Sequence, residues 1–165
     1  MRTYTTIDSP IGALTLVNTD GILSAVYMNK HARMPARESF GESTSAGFET
    51  VLEQLTEYFA GQRREFTLGL APEGSQFQRR VWQLLAEIPY GQTLTYGELA
   101  DQLGDRNVIR AVGSANARNP ISIIVPCHRV IGADGSLTGY AGGLERKKFL
   151  LELENPSRAH EPALF

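Results

Sequence analysis

Cysteine is almost missing from this 165-residue chain: there is one, Cys127. A lone thiol excludes an internal disulfide framework, fits a reducing compartment and leaves a thiolate-rich zinc site without its soft ligands. Histidine is nearly as scarce, with His31, His128 and His160 the full set. No apolar run approaches the roughly 18 residues that read as a membrane span. The N-terminal segment Met1-Arg2-Thr3-Tyr4-Thr5-Thr6 has no apolar core of the kind a secretory signal needs. Excess charge is lacking too. The formal net charge of −2 does not advertise nucleic-acid binding. It is unevenly split, with six basic against nine acidic residues in 1–74 and ten against nine in 75–165. An anionic partner is therefore expected to meet the second half. What is present, 42% hydrophobic and 21% charged residues, is the composition of a soluble globular protein. The length suits one ordinary domain or two small ones.

The first half reads as a small antiparallel meander. Strands are expected at 3–7, 13–17 and 22–28, separated by Asp8-Ser9-Pro10-Ile11-Gly12 and by the turn Asn18-Thr19-Asp20-Gly21. Residues 29–47 are polar and read as a loop, with His31 a solvated surface histidine. Helical spacing of Phe48, Val51, Leu52, Leu55 and Phe59 predicts a helix over 48–60, closed by Gly61. Residues 64–70 alternate again, with Phe66, Leu68 and Leu70 on one side. Ala71-Pro72-Glu73-Gly74 marks a boundary, giving an N-terminal domain over 1–72, a second domain over 73–155 and a tail over 156–165.

The second half opens on two capping boxes, Ser75 with Gln78 and Thr95 with Glu98. Phe77, Val81, Leu84, Leu85 and Ile88 form the stripe of the first helix, which Pro89-Tyr90-Gly91 stops. Leu99, Ala100 and Leu103 face inward on the second. A third helix starts near Asn107 and carries Val108, Ile109, Val112 and Ala115. Two short helices joined by a Gly-containing turn fit a helix-turn-helix, a pattern many unrelated helix pairs share. Ala111, Gly113, Ser114, Ala115 and Ala117 are small while Arg110 and Arg118 project. That pattern serves tight helix packing and close approach to a nucleic-acid groove equally well. Asn119-Pro120 ends the helix.

Chemistry concentrates in Ile123-Ile124-Val125-Pro126-Cys127-His128-Arg129-Val130. Ile123 to Val125 reads as a short buried strand that Pro126 terminates. A single cysteine is most often a small buried hydrophobe, but a thiol reacts as thiolate, and His128 and Arg129 offer a positive field beside it. Gly132–Ser136 and Gly139-Tyr140-Ala141-Gly142-Gly143 read as loops. A last helix is expected over Leu144–Glu154. Leu150 and Leu151 lie four and three residues before Glu154, so this carboxylate shares their apolar face and wants a partner; Lys147 and Lys148 read as its wet side. Cys127, His128 and Glu154 then make nucleophile, base and orienting acid. Adjacent side chains diverge, so one water is the natural relay between Cys127 and His128.

Pro126-Cys127-His128-Arg129-Val130 resembles the active-site motif of the O6-alkylguanine-DNA alkyltransferases, the methylated-DNA–protein-cysteine methyltransferases. Supporting segments are Phe77-Gln78, Val81-Trp82, Ile88-Pro89-Tyr90-Gly91, Thr95-Tyr96, Arg110-Ala111-Val112-Gly113, Asn119-Pro120, Tyr140, Gly142-Gly143, Lys147 and Glu154. The resemblance is strong from Phe77 to Glu154 and softer before residue 72. It implies an α/β N-terminal domain with a three-stranded antiparallel sheet and helix, RNase H-like, and a helical, winged-helix-like C-terminal domain. Cys127 would take the alkyl group from O6-alkylguanine, and from O4-alkylthymine, once and irreversibly. Asn119 would brace the turn carrying the cysteine, and Tyr96 would hydrogen-bond the guanine. Val130, Tyr140, Ala141, Gly142 and Lys147 would line the base pocket. Arg110, Ala111, Gly113, Asn116 and Arg118 would meet the minor groove of double-stranded DNA without sequence preference, Arg110 replacing the flipped nucleotide. A cytoplasmic bacterial or archaeal monomer able to assemble cooperatively on DNA, with no cofactor and no membrane partner, is what the family implies.

Some relatives carry Ser or Gly at the position of Ala141, where a backbone N–H contact is served equally by Ala. Relatives that bind zinc in the first domain use Cys and His ligands; this chain has no Cys there, so no metal is expected. Asn116 stands where some relatives have an apolar pocket residue, which bears on bulky alkyl groups. Two other readings compete. A Cys-His hydrolase would need an oxyanion hole and gives Arg110 no role. A non-catalytic helix-turn-helix protein leaves Glu154 and the Gly-rich loop unexplained.

Overall fold

The computed structural model describes residues 1–29, 34–137 and 140–157; His31, Gly139 and His160 lie outside these. The meander forms as β1 (Arg2–Ile7), β2 (Leu14–Thr19) and β3 (Ile22–Met28), each pair antiparallel. Positive φ at both Asp20 and Gly21 closes the β2–β3 hairpin with the twist such two-residue turns supply. Among the described residues the sheet has four strands, not three. A short β4 (Glu42–Ser43) adds in parallel to β1, giving the order β3-β2-β1-β4.

The segment read as a polar loop therefore holds structure. It also carries a single 3-10 turn, Arg37–Phe40, whose Phe40 is buried on the back of the sheet with Val17 and Ala25. Phe40 stacks on Tyr27 at 5.7 Å and meets Tyr4 edge-on at 5.9 Å. One aromatic in a polar stretch carries no period, so pattern reading passes over it.

Helix α1 (Glu49–Phe59) lies on the other face of the sheet, and Gly61 takes the positive φ expected after it. Its buried side is rotated by about one residue from the expected stripe: Leu52 is 42% exposed, while Gln54 and Tyr58 are buried. Gln54 satisfies itself against Thr67, accepting from its N–H and donating to its hydroxyl. Residues 66–70 alternate in burial as expected. They form no ladder, however, beyond one bridge from Leu70 to Leu23.

Both capping boxes form, starting α2 (Gln76–Ala86) and α3 (Tyr96–Gln102). A single 3-10 turn, Arg106–Val108, leads into α4 (Ile109–Ala117), which packs on α2 and α3. Ile109 is 38% exposed. Trp82, outside the expected stripe, is buried and donates to the Ala115 carbonyl at 2.8 Å, pinning α2 to α4. Helix α5 (Leu144–Glu154) has the expected bounds. A feature not expected is the parallel pair β5 (Leu94–Thr95) and β6 (Val130–Ile131), which ties the entry of α3 to the chain just after Cys127.

The strand expected at Ile123–Val125 does not exist. Ile121 makes one bridge to Val26, and the chain then turns, with Val125 N–H reaching back to Ile121. Ile123 has φ of +74°, a conformation that costs a β-branched residue about 1–3 kcal/mol. A hydrophobic run signals burial, which is present throughout Ile121–Val130, but not a ladder. One core unites the molecule: Leu14, Leu16 and Met28 of the sheet, Tyr58 of α1, and Leu85, Leu99, Val112, Cys127 and Leu150 belong to one packed cluster.

Candidate active site

Cys127 begins a single 3-10 turn, Cys127–Arg129, behind the strained segment. Asn119 holds that segment. Its Nδ2 donates to the Val125 carbonyl at 2.8 Å and its Oδ1 accepts from Ile121 N–H at 3.0 Å. Both amide ends are used on backbone that has left regular structure and still needs partners. The Cys127 side of the turn is 5% exposed, and burial pushes the thiol pKa up. An Asn119 hydrogen bond and the Lys147 charge favour the thiolate but do not overcome burial. At neutral pH the resting group is thus a thiol.

The positive field expected from Arg129 goes elsewhere. Arg129 grips Glu154 with two nitrogens, Nε to Oε1 at 2.7 Å and Nη2 to Oε2 at 3.0 Å, and donates a third hydrogen bond to the Ile88 carbonyl at 2.6 Å. Its guanidinium also lies over the Tyr90 ring at 5.7 Å.

His128 is fully buried, with Nε2 2.7 Å from Glu154 Oε2. A carboxylate accepts only, so Nε2 carries the proton and Nδ1 is the basic nitrogen. Nδ1 is buried with no protein partner among the described residues. Burial lowers the imidazole pKa, the Glu154 hydrogen bond and charge opposing it, so the ring is neutral and able to take a proton. Burial alone would raise Glu154; the hydrogen bonds and charges of His128 and Arg129 outweigh it and hold the carboxyl well below its usual range. Glu154 sits on the apolar stripe of α5 as expected.

Lys147 does not lie on the wet side of α5. It is fully buried, its Nζ donates to the Val130 carbonyl at 2.5 Å, and burial pulls its pKa down to about 8 against the pull of Cys127. Spacing contained this result: 147, 150, 151 and 154 follow i, i+3, i+4, i+7 on one helix face. Tyr140 is also buried, its hydroxyl without a partner among the described residues, and Cys127 contributes to raising its pKa after burial. Gly142 is needed beside it, since a Cβ there would come 2.4 Å from Met28 Sδ and 2.9 Å from the Tyr140 ring. Ala141 is half-buried and Val130 fully buried. Tyr96 is half-buried at the start of α3, its ring 4.0 Å from where a Cβ on Gly113 would stand.

On α4, Arg110, Ala111, Ser114 and Arg118 are exposed and Gly113 half-exposed, giving a small-residue surface with a projecting arginine at its start and another at its end. Asn116 is not part of that surface. It is 1% exposed and its Nδ2 faces the Cys127 carbonyl at 3.5 Å, because position 116 falls on the same helix face as buried Val112.

Two residues of the site escaped the sequence reading. Arg129, expected beside the thiol, binds the carboxylate instead. Tyr58 of α1, fully buried, donates to Glu154 Oε2 at 2.6 Å from 96 positions away; nothing local in the sequence signals that pairing.

Residues 76–156 match the family described as 6-O-methylguanine DNA methyltransferase, DNA binding domain, and residues 3–72 match its ribonuclease-like domain. A methylated-DNA–protein-cysteine methyltransferase of Mycolicibacterium paratuberculosis is 53% identical over 99% of this chain and 96% of its own. One from Methanosarcina acetivorans is 49% identical over 92% of this chain and 97% of its own. The crystal structure of Mycobacterium tuberculosis OGT in complex with DNA has a TM-score of 0.87 at 50% identity, covering 93% of each chain. Among the described residues, no helix is long and apolar enough to cross a membrane.

Proposed function

Because the chain belongs to the 6-O-methylguanine DNA methyltransferase family, we infer that it is a DNA repair protein that moves the alkyl group of O6-alkylguanine onto Cys127. The observation that carries this reading is the buried relay: Glu154 holds the Nε2 side of His128 while Nδ1, in the residue next to the thiol, has no protein partner among the described residues. A water between Cys127 and Nδ1 takes the thiol proton to the imidazole. The sulfur then attacks the alkyl carbon and displaces the guanine oxygen, forming an S–C bond as the C–O6 bond breaks. The electron pair leaves on guanine, which takes up one proton, so thiol and alkylguanine become thioether and guanine. Tyr96 hydrogen-bonds the departing base. The thioether is not hydrolysed, so each molecule acts once. O4-alkylthymine, with the same O-alkyl geometry, is a second substrate.

The base has to leave the stack to meet a thiol this deep, at a cost of a few kcal/mol. Arg110 fills the space it leaves. Ala111, Gly113 and Arg118 give the close, phosphate-directed approach to the minor groove, independent of sequence. Asn116 acts from beneath, as part of the pocket floor and not as a DNA contact. Val130, Tyr140, Ala141, Gly142 and Lys147 enclose the base. Residues 1–72 form an RNase H-like unit and 73–155 a winged-helix-like unit, acting as a cytoplasmic monomer that can assemble cooperatively along DNA.

Intact-mass measurement after incubation with a duplex oligonucleotide bearing O6-methylguanine tests the reading. One added methyl, mapped to Cys127 and absent in Cys127→Ser, is expected. Turnover beyond one equivalent overturns it in favour of a hydrolase.

A further inference from the structure

We propose that Tyr58 is a positioning residue for alkyl transfer, its hydroxyl limiting how strongly Glu154 draws a proton onto His128. The inference rests on the reading of Cys127, His128 and Glu154 given above. Glu154 Oε2 accepts three hydrogen bonds, from Tyr58 at 2.6 Å, His128 at 2.7 Å and Arg129 at 3.0 Å, while Oε1 takes Arg129 Nε at 2.7 Å. The two-pronged arginine already fixes the plane and place of the carboxylate. Tyr58 therefore adds little to its location. What it changes is the charge on Oε2, the oxygen that faces the imidazole.

The hydroxyl is a permanent donor. Burial, then the Glu154 charge and its hydrogen bond, keep the phenol protonated far above neutral pH. The ring is held independently of the hydroxyl, by Phe59 and Phe66 with centroids at 5.4 Å and Tyr90 at 6.3 Å. Tyr58→Phe thus removes one hydrogen bond and leaves the packing. The charged and titratable groups around this carboxylate and imidazole are His128, Arg129, Lys147, Tyr90, Tyr140 and Tyr58 itself. Arg129 and Lys147 both disfavour imidazolium. Tyr58 acts in the same direction by drawing density from Oε2, so its loss makes His128 more basic. A stronger base holds its proton to higher pH and is unavailable there to the thiol.

Two rates read this across about pH 5 to 9: methyl transfer from a duplex oligonucleotide, and alkylation of Cys127 by iodoacetamide without DNA. In Tyr58→Phe the acid limb of both profiles is expected to move up by about half a pH unit, so that the rate on the limb falls about threefold. Site-specific replacement of Tyr58 by a fluorinated tyrosine, a stronger donor, is expected to move it down, which serves also if the Phe variant folds poorly. Profiles that superimpose on the parent protein's, even with a lowered melting temperature, reduce Tyr58 to a structural hydrogen bond and overturn the proposal. Absence of any transfer to Cys127 in the parent would instead overturn the alkyl-transfer reading, and the iodoacetamide profiles would still decide the part played by Tyr58.

Discussion

A carboxylate with 1% of its side chain exposed keeps its charge only when donors replace the water it has lost. Glu154 has four such hydrogen bonds, from His128, Arg129 and Tyr58. This arrangement makes stability depend on acid in two stages. His128 has its pKa lowered from 6.5 in the fold, so below 6.5 the unfolded chain takes up a proton that the folded one refuses. Glu154 has its pKa lowered from 4.5, so below 4.5 the same holds again. In both windows the unfolded state binds more protons, and stability falls as pH falls, by up to about 1.4 kcal/mol per pH unit for each proton. Urea midpoints measured from about pH 7 to pH 4, below the range in which Lys147 with its pKa of about 8 titrates, are expected to fall below the imidazole range and to fall more steeply below the carboxylate range. A midpoint that stays level down to the carboxylate range would remove His128 from this account. Glu154 was legible in the sequence because Leu150 and Leu151 flank it on one helix face. Lys147 obeys the same spacing, but a lysine's charge ordinarily places it in water, so its burial is not evident from residue type. Tyr58 was not legible, since its partner lies on another element and only folding brings them together.

Elements with local signals formed as their sequences indicate. Ser75 and Thr95 each carry their cap and partner within three residues, and α2 and α3 start where those boxes lie. The segment Ile121–Val125 has no such signal: its path is set by the side chain of Asn119 acting on backbone up to six residues away. Helix α4 shows what pattern alone could not separate. Its small residues divide between two faces, with Ala115 buried against Trp82 and Ala111, Gly113 and Ser114 on the outer surface. The outer group makes the helix a flat platform from which Arg110 projects. Arg110→Ala is expected to slow repair of duplex O6-methylguanine at least about tenfold, the effect of losing a filler for a cost of a few kcal/mol in the stack, while reaction with the free base O6-alkylguanine changes little. An equal loss on both substrates would make Arg110 a structural residue of α4.

The two halves share one core, and the reactive thiol lies inside it. Val26 pairs with Ile121, Arg146 of α5 donates to the Ile11 carbonyl at 3.1 Å, and Tyr58 reaches Glu154, so the N-terminal sheet and helix are joined to the segment that carries Cys127. A group added to sulfur therefore has no solvent side to occupy. Cys127 is 5% exposed, with Val130 and Tyr140 of the same cluster buried. Inserting a methyl into packing this close costs roughly 1–3 kcal/mol. For a chain of this size each kcal/mol moves the melting temperature by roughly 2–4 °C. The alkylated protein is thus expected to melt several degrees, roughly 2–12 °C, below the unreacted one. The comparison is made on protein reacted to one equivalent and freed of DNA, because bound DNA would raise the apparent stability of either form. An unchanged melting temperature would mean that the space receiving the methyl is already open in the resting fold. A decrease would mean that the reaction which retires the cysteine also loosens the core joining both halves, marking the spent molecule by its stability.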